Sequence, residues 1–330
     1  MHSAPKTRFS RDAKVFTIGS CFARNIEAEL VGQGIEILTK GLNLPADFYE
    51  TVKQPQAAMN KFNIPSILDE ISRAFDEGAD LMAGLIPAGE ALWFDPATTS
   101  VRLLTRDEAT LLRTMVAETM RKIADADVII FTLGLVEMWR DRVSGLSLNT
   151  HPHPKAVRWE IGQRQEAMQK LHHARKSVEA ARLRKEAPDP ADLAVIEQLS
   201  EADLQSRYEF LRPSHAELSA QMHEVVKLCQ KVAPQAKLVV TISPVPLQNT
   251  MTPDDIVCSS TYSKSVLRVI AEEMRETYDC VEYFPSYEMV TNSPRHLTWE
   301  EDQVHVRADL VRQVTATFVQ EWFEPAPSSD

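Results

Sequence analysis

Short apolar runs alternate with amphipathic stretches along most of the chain. Lys14-Val-Phe-Thr-Ile18 is a β-branched and aromatic run that Gly19 ends, and Phe22, Ile26 and Leu30 follow at four-residue spacing. The pattern predicts a strand, a tight turn and a helix. Gly32 and Gly34 stop the helix, and Ile35-Glu-Ile-Leu38 is expected to be a second strand. Such a β-turn-α-β unit is the building block of a parallel sheet. Helical spacing recurs at 54–62, 65–76 and 107–124, with a hairpin expected between Leu92-Trp-Phe-Asp95 and Val101-Arg-Leu-Leu104.

Asp127-Val-Ile-Ile-Phe-Thr-Leu133 is the most apolar segment, as a central strand covered on both faces should be, and Gly134 closes it. Residues 151–210 differ: they are rich in Arg, Glu, Ala and Gln and are interrupted by Pro188 and Pro190. They are expected to form one or two long polar helices inserted into the domain, either a cap or a solvated hairpin that contacts another copy. The alternation then resumes. Helix 214–232, strand Lys237–Ile242, an extended loop at Pro244 and Pro246, helix 260–277 and strand Cys280–Phe284 follow. The last helix carries Leu310, Val314, Phe318 and Trp322. The expectation is one three-layer α/β/α domain over 10–324, with a mainly parallel five-stranded sheet, the insertion at 151–210 and a fraying polar tail at 325–330.

Composition sharpens this. The 330 residues are 44% hydrophobic and 25% charged, which excludes disorder and fibrous classes. The net charge of −11 opposes nucleic acid and anionic lipid, so neither is expected as a partner. Cys21, Cys229, Cys258 and Cys280 match no zinc or redox spacing and point to a reducing compartment. The first residues carry no apolar core of signal-peptide length, and the longest apolar run is Val128–Phe131, so a soluble cytoplasmic protein is expected.

Three loops follow strand ends. Ser20 stands where a strand turns into a helix, beside unpaired first-turn N–H groups that can stabilise an oxyanion on the atom it attacks. An N-cap role fits Ser20 as well. Gly134 ends the apolar strand and could present a second N–H, and Glu137 is either a site carboxylate or a rim residue. Asp302-Gln-Val-His305 precedes the last helix. There Asp302 could orient one ring nitrogen of His305 while the other faces a nucleophile. Alternatively, Thr298-x-x-Glu301 is a capping box and 299–305 simply begins a helix. Cys21, at the helix start where a thiol pKa is lowered, is an alternative nucleophile, though it is expected to pack beneath the loop. His151 and His153 could bind a metal or line the cleft, and no third ligand accompanies them. His172 and His173 read as solvated.

Gly19-Ser-Cys-Phe-Ala23 resembles the signature of the GSCFA family, a bacterial group related to the SGNH (GDSL-type) hydrolases. Phe131-Thr-Leu-Gly-Leu-Val-Glu-Met-Trp139, Thr241-Ile-Ser-Pro-Val-Pro246, Tyr262-Ser-Lys-Ser-Val-Leu267 and Tyr283-Phe-Pro-Ser-Tyr-Glu288 resemble it too, so the likeness spans roughly 14–310. The resemblance implies a flavodoxin-like fold, with Ser20 as nucleophile, His305 as general base and Asp302 as its orienting partner. It implies an esterase or O-acyltransferase acting on an acyl ester, acetyl in the simplest case, of a saccharide or lipid-type substrate. A non-catalytic glycan- or protein-binding module on the same fold is the rival. No metal or redox cofactor is expected; acetyl-CoA or another acyl donor would be needed only for transfer. Cys21, Gly134 and Glu137 are the expected oxyanion or substrate-binding residues. SGNH enzymes carry a Gly-x-Asn motif after the third strand, whereas Gly134-Leu-Val136 here has no Asn. Ser263 and Lys264 are expected to open a helix, where such a pair could bind substrate or Ser263 could simply cap it.

Overall fold

The computed structural model describes residues 5–6, 8–50, 55–199 and 205–325. The first half runs β1 (Val15–Gly19), α1 (Cys21–Gly32), α2 (Ile64–Phe75), β2 (Ile86–Pro87), β3 (Trp93–Phe94), α3 (Arg106–Arg121) and β4 (Val128–Leu133). The middle adds β5 (Met138–Asp141), β6 (Ser147–Leu148), α4 (Pro154–Arg184), α5 (Pro190–Gln198) and β7 (Tyr208–Leu211). The rest is α6 (His215–Val232), β8 (Lys237–Ile242), α7 (Ile256–Thr277), β9 (Val281–Tyr283), α8 (Ser286–Thr291), α9 (Arg295–Thr298) and α10 (Ala308–Trp322).

Successive strand residues point to opposite faces, so an apolar strand needs cover on both. The parallel sheet β1-β4-β8-β9 has it. Phe16, Ile18, Ile129, Phe131, Leu238 and Val240 pack into one core cluster with α2, α3, α6 and α7. Val15, Val128, Ile130 and Val239 pack into another with α1 and α10. The result is a three-layer α/β/α flavodoxin-like arrangement. The sheet has four strands, not five. The Ile35–Leu38 strand is reduced to one bridge, Val15 to Ile37, and the chain turns at once into the 3-10 turn Leu38–Gly41. Buried Glu27 accounts for this: it accepts the Thr39 and Thr17 hydroxyls and pairs with Arg24 at 2.5 Å, so Thr39 is held to α1 rather than to the ladder.

Two further expectations change. The hairpin partner of β3 is β2, and Trp93 makes only a single bridge to Leu104. The polar helices exist as α4 and α5, but the irregular tract ends before residue 208. There β7 joins β5 and β6 in an antiparallel sheet, and Asp141 pairs with Arg207 at 2.7 Å. Excising 151–210 whole would therefore remove a strand. The tail at 326–330 lies outside the described residues. Among the described residues no helix is long and apolar enough to cross a membrane.

Candidate functional site

Gly19 adopts φ +144°, and a Cβ there would stand 2.3 Å from the Thr132 carbonyl oxygen, so the strand end needs glycine. Ser20 still donates its N–H to Thr132 O at 2.9 Å, then caps α1 by accepting from Phe22 N at 3.4 Å. It is 4% exposed. The capping role and the cavity position are both realised, because the same hydroxyl lines a cavity of about 420 Å³ at the C-terminal ends of β1, β4 and β8.

Gly134 is there for close approach rather than donation. A Cβ would meet Phe62 O at 2.9 Å and Ser20 Cβ at 3.5 Å. Its N–H is spent on Phe62 O at 3.2 Å, and that of Leu135 goes to the same oxygen at 2.9 Å. This corrects the expected oxyanion role: the N–H groups of Ser20 and Gly134 are both taken by carbonyls. Among the described residues the Cys21 N–H has no backbone carbonyl partner.

Cys21 is exposed and lines the cavity instead of packing beneath the loop. Protein atoms crowd the thiol and push its pKa above the ordinary value of 9.0, opposed by the charge of Lys264 and by the first-turn N–H groups. The expected lowering by the helix start is therefore outweighed. Glu137 is 7% exposed and follows no helix start; it forms part of the cavity wall, its carboxylate accepting from the Thr250 hydroxyl at 2.7 Å. Asn149 also lines the cavity, but its amide staples loops together, donating to Asn60 O at 2.6 Å and accepting from Phe62 N at 2.7 Å. His151 lies in the cavity wall with Nδ1 donating to Pro152 O at 3.2 Å, and among the described residues its Nε2 makes no hydrogen bond. His153 instead caps α4, accepting from Lys155 N at 3.1 Å. Among the described residues no group of three His, Cys, Asp or Glu is placed to hold a metal ion.

Asp302 and His305 occupy an exposed turn. The capping box at Thr298 does not form: α9 ends at Thr298, Trp299 bridges Val306, and α10 starts only at Ala308. Asp302 accepts from the N–H groups of Val304 and His305, both at 2.9 Å, and from His305 Nδ1 at 2.5 Å. These bonds, the imidazole first among them, pull its carboxyl down to about 2. The imidazole is thus held in the geometry the spacing suggested. Yet His305 does not line the cavity, and among the described residues no hydrogen bond joins it to Ser20. The structure brings Ser20, Cys21, Gly134 and Glu137 to one cavity and pairs Asp302 with His305.

Sequence reasoning missed three features. Ser263 and Lys264 do not open a helix: Asp255 caps α7, and both residues are buried in its second and third turns. Ser263 Oγ accepts from Val136 N at 2.9 Å, and Lys264 Nζ donates to Gly134 O at 2.6 Å, so α7 clamps the loop after β4. Burial pulls the Lys264 ammonium from 10.5 down to about 7. The signal was legible, since Lys264, Leu267 and Ala271 fall on one apolar stripe, where a lysine is out of place. The second feature is the cavity's aromatic wall, Trp139 against Phe210 at 5.5 Å, built on β5 and β7. The third is Ser243 Oγ in the cavity wall, one of several buried hydroxyls that have no partner among the described residues.

A family 3 carbohydrate esterase from Clostridium thermocellum is similar in structure at TM-score 0.33 and 10% identity, over 94% of this chain and 94% of that one. No curated protein matches the chain's sequence. The GSCFA family model matches residues 14–318, and the chain belongs to that family.

Proposed function

We propose that the protein is an SGNH-like serine esterase or O-acyltransferase acting on an acyl ester, acetyl in the simplest case, of a saccharide or lipid-type substrate. The observation that carries this is Ser20: a hydroxyl at a glycine-enforced strand end, at the start of α1, opening onto the cavity at the sheet's C-terminal edge. Ser20 Oγ attacks the acyl carbon, and His305 Nε2 takes its proton and returns it to the leaving alcohol. Asp302 holds the imidazole by Nδ1. The Cys21 N–H is the donor left for the oxyanion. Water, or an acceptor alcohol in a transferase, then releases the acyl group; transfer would draw on an acyl donor such as acetyl-CoA. The reaction requires His305 Nε2 to reach hydrogen-bond distance of Ser20 Oγ when substrate binds, as catalytic contacts that are loose in an empty site commonly tighten in the complex.

A second reading has specific support. The spent N–H groups of Ser20 and Gly134 and the Trp139–Phe210 wall suit a non-catalytic glycan- or protein-binding module. A panel of aryl and saccharide acyl esters, tested with wild type and Ser20→Ala, separates the two. Hydrolysis that vanishes in Ser20→Ala supports the esterase. No hydrolysis by wild type, with ligand binding retained, supports the module.

A further inference from the structure

Taking an ammonium out of water is costly, so buried lysines and arginines are almost always paired with carboxylates. Three of this protein's buried cations follow the rule: Arg24 pairs with Glu27, Lys61 with Glu70, and Arg113 with Glu70 and Asp95. Lys264 does not. It is 3% exposed, and the one hydrogen bond of its Nζ goes to the Gly134 carbonyl, in the wall of the cavity that Ser20 lines. Among the described residues no carboxylate pairs with it, and the ionisable group that bears on it is Cys21.

Three charges on the surrounding elements are held by other partners. On α1, Arg24 is held by Glu27. In the loop after β4, Glu137 is bound by Thr250. On α7 itself, Arg268 is taken by Glu272 and by Glu288 of α8. A second, independent observation marks the same place. Among the described residues Ser243 Oγ, in the cavity wall and 1% exposed, has no hydrogen-bond partner. An unsatisfied buried hydroxyl in the cavity wall, and an unpaired buried cation gripping the carbonyl of Gly134 in the same wall, describe a site that a polar, negatively charged group completes.

We propose that Lys264 supplies the positive charge against which the negative charge developing at Ser20 is stabilised, from behind the Gly134 peptide, in the role that an asparagine side chain would otherwise fill. This rests on the esterase reading of Ser20. Lys264 touches neither substrate nor nucleophile. It acts through the Gly134 carbonyl that it grips and through its field in a site of low dielectric, which makes it a positioning residue. In the free protein it is charged below about pH 7 and loses its proton above that. An oxyanion nearby favours the charged form.

The test uses the full chain with Lys264→Met, and with Lys264→Gln, which keeps a polar donor without the charge. Both are first checked for folding by circular dichroism, and the Gln variant carries the test if the Met variant does not fold. Two quantities are read: the pH profile of kcat/KM on an aryl ester, and the rate at which iodoacetamide modifies Cys21 at pH 8. Wild type should lose kcat/KM as the pH rises through the Lys264 midpoint. The variants should lack that alkaline limb and lie roughly ten- to a hundredfold lower at pH 6. Cys21 should be alkylated several-fold more slowly in both variants, because neither a cation nor an amine remains to favour its thiolate. A purely structural role predicts the opposite, since a loop released from Lys264 relieves the crowding of the Cys21 thiol and speeds its alkylation. An unchanged alkaline limb, or alkylation as fast as in wild type or faster, overturns the proposal. If wild type hydrolyses no ester, the esterase reading fails and alkylation alone decides. Slower modification in the variants then sustains Lys264 as a cation facing the Ser20–Cys21 loop, and equal or faster modification removes it.

Discussion

The floor of the cavity and the 302–305 turn are built in opposite ways. At the floor, Gly19, Ser20 and Gly134 are fixed by strand ladders, by Phe62 O and by Lys264, and a single added methyl group would collide with backbone. On the turn, Asp302 satisfies its own loop, binding Val304, His305 and the imidazole, with both side chains about half exposed or more, at 48% for Asp302 and 62% for His305. One region is held by hydrogen bonds from distant segments of the chain. The other is held by bonds within its own turn. The two parts should therefore fail differently when mutated.

The largest effect tests whether they act together. Ser20→Ala and His305→Ala should each lower kcat roughly a thousandfold or more, and the double variant should be no worse than either single one. A greater loss in His151→Ala than in His305→Ala would move the base to His151 in the cavity wall. Additive losses would show that Ser20 and His305 do not form one unit.

Stability should divide along the same line. Gly19→Ala should cost about 3 kcal/mol, since its φ of +144° and the 2.3 Å approach to Thr132 O leave no room for a side chain. On the turn the reverse change should be mildly favourable: Gln303 sits at φ 58°, and Gln303→Gly should stabilise by about 0.5–1 kcal/mol. Urea denaturation of the two variants measures both, and a harmless Gly19→Ala would contradict the tightly held floor. The smallest effect concerns Cys21. Cys21→Ala keeps the backbone N–H and should lower kcat/KM by no more than about tenfold. A dead Cys21→Ala beside an active Ser20→Ala would make the cysteine the nucleophile.

Much of this was legible along the chain because it is local. The run Val15–Gly19, the spacing of Phe22, Ile26 and Leu30, and the mostly apolar Val128–Leu133 each fix an element through short-range periodicity, and their alternation fixes a parallel three-layer sheet. The Asp302–His305 pair was legible for the same reason, as three residues span one turn. The fifth strand failed because its competitor is remote in sequence: Thr39 is drawn to Glu27, twelve residues earlier.

The sequence by itself determined the four strands of the parallel sheet and the helices between them, the glycine-bounded Ser20 turn and the self-contained Asp302–His305 turn. Only the tertiary structure decided which N–H groups remain for an oxyanion, because Thr132 O and Phe62 O reach Ser20 and Gly134 from other segments. It also decided that Glu137, Asn149 and His151 meet Ser20 in one cavity, and that Lys264 lies buried against Gly134 130 residues away in sequence. Hydrogen-bond saturation and burial are properties of what surrounds a group, and for these residues the surroundings come from distant parts of the chain.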